Sequence, residues 1–276
     1  MAFDFIEAAL LQRQAEHLYR RLTPVAGSQG RYIQVNQQRH LNFSSNDYLS
    51  LASDPALIAA WQAGLAQYGC ASAASALVTG YSQAHAELEA ELTSWLKVDA
   101  VALFNSGYSA NQAMLKLLLG KHDLLLQDKL NHASLMEAGS LISFPMQRFR
   151  HNDMGHLASL LEKSAENSAI ENKLIVSEGI FSMDGDGAPL VELLDLRDRY
   201  QTWLMLDDAH GIGVCGPNGQ GSMAALGLDN RQLDIYMATF GKALGVGGAM
   251  IAGKQSLIDY IVNFSKPYIY TTAMPP

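Results

Sequence analysis

KLIVSEGIFSMDGDGAPLVELLDLRDRYQTWLMLDDAH, residues 173–210, holds two short apolar runs, KLIV and TWLML, on either side of a turn-rich stretch and a helical one. Runs of four or five apolar residues are too short for a helix and suit strands buried on both faces. VELLDLRDRY, 191–200, reads as the helix between them. Strand, helix, strand is the unit that makes neighbouring strands parallel. The same alternation extends outward. VALFNS (101–106), DLLLQD (123–128) and LDIYMATF (233–240) are further strands, and SANQAMLKLLLG (109–120) and MGHLASLLEKSA (154–165) are further helices. The expected fold is α/β, a mainly parallel sheet with helices on both faces.

Upstream the pattern changes. The opening reads as an amphipathic helix ending before Pro24, and RYIQVNQQRHLNF (31–43) as a short hairpin, apolar at alternate positions around a polar turn. Helical spacing takes over in DPALIAAWQAGLAQYG (54–69) and SQAHAELEAELTSWL (82–96). We therefore expect an N-terminal arm and hairpin over 1–50 and one large domain over 51–276.

Among the 276 residues, 27 Asp and Glu outweigh 19 Lys and Arg, a formal net charge of −8, which argues against a nucleic-acid partner. Half the residues are apolar (49%), enough for a substantial core. The early acids rule out a secretory signal, and no stretch reaches the ~20 apolar residues of a membrane span. A soluble cytoplasmic protein is expected, with Cys70 and Cys215 as packed thiols. GIGVCG (211–216) matches a dinucleotide-binding expression, but PNGQG follows it and cannot open the helix such a site needs. SMDGDGAP (182–189) resembles a calcium loop but has Ala188 at the third ligand position, so a tight turn is expected. The eight His show no paired metal spacing, and no structural metal is expected.

In open parallel sheets, chemistry collects where strands end. Asn105-Ser106-Gly107, Ser177-Glu178, Asp207-Asp208 and the stretch from Thr239 to Lys242 all stand at such ends. In TFGKALGVGGA (239–249) a lysine sits among small residues. A lone lysine in a turn is ordinarily solvated, but apolar, small flanks imply partial burial, which lowers an amine's pKa. A deprotonated amine can condense with an aldehyde cofactor such as pyridoxal phosphate (PLP), and small residues let a flat ring and a phosphate approach the backbone. Asp207-Asp208-Ala209-His210 supplies the complement: a carboxylate that keeps a ring nitrogen protonated and an imidazole for a phenolic oxygen.

These residues lie within an ordered series of motifs: NFSSNDYL (42–49), LVTGYSQAH (77–85), FNSGYSANQ (104–112), NHASL (131–135), EGIFSMDGD (178–186), DDAHGIGVCG, TFGKALGVGGA and YTTAMPP (270–276). From near residue 20 onward the chain resembles the α-oxoamine synthases, PLP enzymes of fold type I. The resemblance implies PLP covalently held by Lys242, with Asp207 facing the pyridine nitrogen. His210 and Ser182 would lie near the phenolic oxygen, and Thr239, Gly107 and Tyr108 at the phosphate. His132 would stack on the ring and help the acyl carbonyl react. Arg20, with Arg21 as a near competitor, would meet the acyl substrate. Thr271 and Thr272 would reach the phosphate of a neighbouring subunit, giving a homodimer with a shared site. NFSSNDYL, HND at 151–153 and Phe240 favour the member that joins L-alanine to a pimeloyl thioester, whether coenzyme A or a carrier protein holds the acyl group. A sister enzyme using glycine or serine is the alternative.

Two departures stand out. The stretch before LVTG reads CASAASA (70–76), with alanines where the family is glycine-rich. The resemblance also implies a further small domain after Pro276, so the chain is expected to lack part of the substrate-binding apparatus and to bind cofactor better than it catalyses.

Overall fold

A computed structural model describes residues 2–140 and 145–276 and divides into two compact units, Met1–Ser45 and Asn46–Pro276. In the first unit, helix α1 (Phe5–Ala15) leaves no residue buried. It stops well before Pro24, because His17 turns into the left-handed region (φ 57) and the chain then runs irregularly. Strands β1 (Val25–Ala26), β2 (Tyr32–Val35) and β3 (Gln38–Leu41) form an antiparallel sheet. The β2–β3 hairpin turns at Asn36-Gln37, both at positive φ, the backbone a two-residue hairpin turn requires.

The second unit is built on seven strands in the order β4-β10-β9-β8-β7-β5-β6. They are β4 (Ala100–Phe104), β5 (Leu124–Asp128), β6 (Met146–Phe149), β7 (Lys173–Glu178), β8 (Trp203–Asp207), β9 (Ile235–Thr239) and β10 (Ala249–Gly253). Among the described residues of this sheet, strand β10 alone runs antiparallel, inserted between β4 and β9. Neither β6 nor β10 stands out in the sequence: MQRF lacks an apolar run, and AMIAG merges with the glycines before it.

The helices are α2 (Pro55–Tyr68), α3 (Gln83–Leu96), α4 (Gly107–Leu118), α5 (Ala133–Ser140), α6 (Met154–Ala165), α7 (Leu190–Arg199), α8 (Ser222–Ala225), α9 (Gln255–Phe264) and α10 (Lys266–Ile269). Capping side chains start α2, α4 and α6. Asp54 accepts from the Ala56 and Leu57 N–H groups at 2.8 and 3.1 Å, Ser106 from Ser109 N–H, and Asp153 from His156 N–H. Alternate residues of each strand feed two cores. Leu103, Ile175 and Leu206 pack with α3, α6 and α7 on one face. Phe104, Val176 and Met205 pack with α4, α5 and α9 on the other. Among the described residues, no helix is long and apolar enough to cross a membrane.

Candidate active site

Five parallel strands, β4, β5, β7, β8 and β9, end at one cleft. Gly107, Tyr108, His132, Asp207, His210, Thr239 and Lys242 line it, together with Asn111, Ser134, Glu178, Ala209 and Met237. Gly107 opens α4 directly after β4, so the first-turn amides of α4 lack intrahelical acceptors. A Cβ built on Gly107 would lie 3.5 Å from that of Thr239, so the helix start and the end of β9 meet closely. Thr239 Oγ1 donates to Gly248 O (3.1 Å) and accepts from Gly241 N–H (3.4 Å), which ties the lysine loop to β10.

Lys242 Nζ lies 2.7 Å from His210 Nε2, and His210 Nδ1 lies 2.7 Å from the Tyr48 hydroxyl. Tyr48 can donate onward to Asn46 Oδ1 at 3.3 Å. Lysine brings hydrogens and no lone pair when charged, so Nε2 accepts and Nδ1–H donates to Tyr48. Burial, then the charges of Lys242 and His132, push His210 down to about 4, so its ring is neutral in ordinary buffers. Burial lowers Lys242 as well, against the pull of Asp207 and Glu178. Glu178 is pushed up to about 8 by burial and by Asp207, and accepts the backbone N–H of His132.

Asp207 is buried; its Oδ2 accepts from Asn111 Nδ2 (2.8 Å) and its Oδ1 from Ala209 N–H (3.1 Å). Burial raises its pKa, opposed by those donors and by Lys242. Asp208 points elsewhere. Its Oδ2 accepts from Ser222 N–H (2.8 Å) and the Tyr236 hydroxyl (2.9 Å), and its Oδ1 from Ser222 Oγ (2.5 Å). Of the two adjacent aspartates, Asp207 is therefore the one that faces the cleft.

Of the remaining sequence candidates, Ser182, Thr271 and Thr272 do not line this cleft. Ser182 is exposed in the 181–187 turn, which the Ile180–Gly187 bridge closes, and does not line the cleft. Asp186 of that turn is held by His151 and Asn152, both at 2.8 Å, which gives the HND motif a structural task. Thr271 and Thr272 are exposed and line a second cleft with Asn105, Ser106 and Ser109. Asn105 Nδ2 donates to Thr272 O at 2.9 Å. Arg20 is exposed in the irregular segment after α1. Asn111, Ser134 and Tyr48 received no role from the sequence, although each stands inside a quoted motif, three or fewer residues from a polar neighbour.

The donor set fits PLP. A carboxylate, an amine lowered by burial, a neutral imidazole and free helix-start amides face one cleft, matching a ring nitrogen, an aldehyde, a phenolic oxygen and a phosphate. The chain matches the family "Aminotransferase class I and II" over residues 38–276. It is 53% identical to an 8-amino-7-oxononanoate synthase of Aeromonas salmonicida, over 97% of this chain and 66% of that protein. With the Vibrio cholerae protein of the same name the identity is 52%, over 98% and 68%. A serine palmitoyltransferase structure from Sphingomonas wittichii superposes with a TM-score of 0.91 at 26% identity, covering 100% of this chain and 69% of that one. The fold is thus that of the type I PLP-dependent transferases. The chain spans about two thirds of the length of the relatives it matches.

Proposed function

The chain belongs to the aminotransferase class I and II family, and on that premise we propose that its cleft binds PLP at Lys242 and serves the condensation of L-alanine with a pimeloyl thioester. In the net reaction a bond forms between alanine Cα and the thioester carbonyl carbon. The thiol leaves, carbon dioxide leaves from the alanine carboxylate, and 8-amino-7-oxononanoate, a biotin precursor, results. The reading is carried by the convergence of Lys242, His210, Asp207 and His132 on one cleft, and the names of the close relatives support the choice of substrates.

PLP, when bound, supplies an electron-withdrawing ring that stabilises negative charge at the amino acid's Cα. Lys242 Nζ, whose pKa burial lowers, would hold the cofactor and, once freed, would take the Cα proton. His210 accepts a hydrogen bond from Nζ and steadies the amine without adding a charge. Asp207 would keep the cofactor's ring nitrogen protonated; Asn111 and Ala209 keep the carboxylate aimed. The Gly107 and Tyr108 amides at the start of α4 and Thr239 would take the phosphate. In this reading residues 51–276 form the cofactor domain, residues 1–50 an arm, and Arg20 an acyl-substrate contact. Thr271 and Thr272, exposed in this chain, complete the phosphate site of a second subunit.

Borohydride reduction in the presence of PLP, followed by peptide mapping, is expected to leave a phosphopyridoxyl group on Lys242. Label on another lysine overturns the assignment. Thiol release from pimeloyl-CoA and from pimeloyl carrier protein, compared with L-alanine, glycine and serine, separates the alanine enzyme from a sister synthase.

A further inference from the structure

We propose that Asn111 and Ser134 are positioning residues that hold His132 in a single tautomer, with its proton on Nε2, so that the ring offers a hydrogen-bond donor to a carbonyl or carboxylate oxygen of the substrate. The substrate half of this statement rests on the function proposed above; the proton arrangement does not.

The chain of contacts starts at Asp207. An ionised carboxylate accepts hydrogen bonds and donates none, so the Asn111 atom 2.8 Å from Asp207 Oδ2 is the amide nitrogen. That nitrogen has a second hydrogen, and Ser134 Oγ lies 3.0 Å away to accept it. The Ser134 hydroxyl hydrogen is then left for His132 Nδ1 at 2.9 Å. Ser134 N–H is aimed at the same Nδ1, at 3.2 Å. A ring nitrogen that receives two donors presents its lone pair, and the neutral ring must carry its proton on Nε2. Asn111 and Ser134 are each about 1% exposed, so these two links are shielded from bulk water, while the His132 residue they support is exposed. The amide keeps this orientation although Asn111 Oδ1 is buried with no partner among the described residues. Turning the amide over would press Oδ1 against the Asp207 carboxylate, the less favourable choice. The His132 backbone N–H donates to Glu178, which fixes the ring's attachment.

Histidine-selective ¹⁵N labelling and long-range ¹H–¹⁵N correlation read the tautomer directly. The His132 signals are assigned by their loss in His132→Gln. In the parent chain, without PLP and with it, Nδ1 should have the shift of a bare ring nitrogen and Nε2 that of a protonated one. Ser134→Ala and Asn111→Leu should each move the tautomer ratio toward Nδ1–H by about fivefold, the effect of losing one ordinary hydrogen bond. Ser134→Thr, which keeps the hydroxyl, should restore the parent ratio. A parent ring protonated on Nδ1 overturns the proposal even if no variant folds, and so does a ratio unchanged in both variants. If Lys242 takes no PLP label while His132 shows the expected tautomer, the function fails and the positioning role stands. If Lys242 is labelled but Nδ1 carries the proton, the positioning role fails alone.

Discussion

Asp207 and Asp208 are consecutive, both buried, and face opposite surroundings. Three donors saturate Asp208: Ser222 N–H, Ser222 Oγ and the Tyr236 hydroxyl. Its pocket is closed so tightly that a Cβ on Gly179, Gly211 or Gly221 would collide with the carboxyl group. Asp207 has two donors, Asn111 and Ala209, and its remaining side opens on the cleft shared with Lys242 and His132. Burial raises both carboxyl groups above their usual range. The difference between them is the satisfaction of the charge. A carboxylate whose acceptor positions are filled by fixed donors holds structure together, whereas one left short of partners in a cleft is available to a cation.

The contrast breaks if the two sites respond alike to substitution. Lys242→Ala, on the open side, should reduce turnover by about four powers of ten or more, with little change in the denaturant midpoint. Thiol-release kinetics and urea melts measure both. Asp207→Asn should lower turnover by about two to three powers of ten and leave the midpoint unchanged or slightly raised, since a neutral amide escapes the burial penalty. A fall in stability with turnover intact would mean that Asp207 is structural.

On the closed side the order reverses. Asp208→Ala leaves three donors without acceptors and should lower the unfolding free energy by about 3 kcal/mol or more, with PLP stoichiometry retained in the folded fraction. A midpoint within error of the parent would refute the saturated-pocket account. Acid sharpens the comparison further. Burial pushes Asp208 up to about 6 from the usual 3.8. A carboxyl raised on folding binds its proton more tightly in the native state. Its contribution is fully present below about 4 and lost as the pH rises through about 6. The parent should therefore gain stability relative to Asp208→Asn as the pH falls from about 6 to about 4. Melts that run parallel across that range would contradict the shift.

The smallest expected effect lies in the alanine-rich stretch before Leu77. Ala73 sits at φ 57, a conformation that glycine adopts without strain. Ala73→Gly should stabilise the chain by about 0.5–1 kcal/mol, less the entropy that glycine adds to the unfolded state. Thermal melts resolve a change of that size.

What could be read along the chain was whatever neighbours in sequence encode. Two-sided burial of KLIV and WLML announced parallel strands, helical spacing placed helices from Asp54 and from Ser82, and Lys242 among glycines at a strand end announced the cleft. The antiparallel insertion of β10 was not legible, because strand order is settled by packing between segments far apart. Nor was the short course of α1, which depends on one left-handed residue, His17. The resemblance had already pointed to Asp207, but the physical reason that Asp208 is not the one lies in Ser222 and Tyr236, 14 and 28 residues downstream of Asp208. Likewise the Asp207–Asn111–Ser134–His132 chain joins positions 96, 23 and 2 residues apart. Periodicity and caps are local and survive in the sequence. Which donor fills which acceptor is fixed only when the sheet brings its strand ends together, because a hydrogen bond depends on distances of a few tenths of an ångström that no spacing along the chain records.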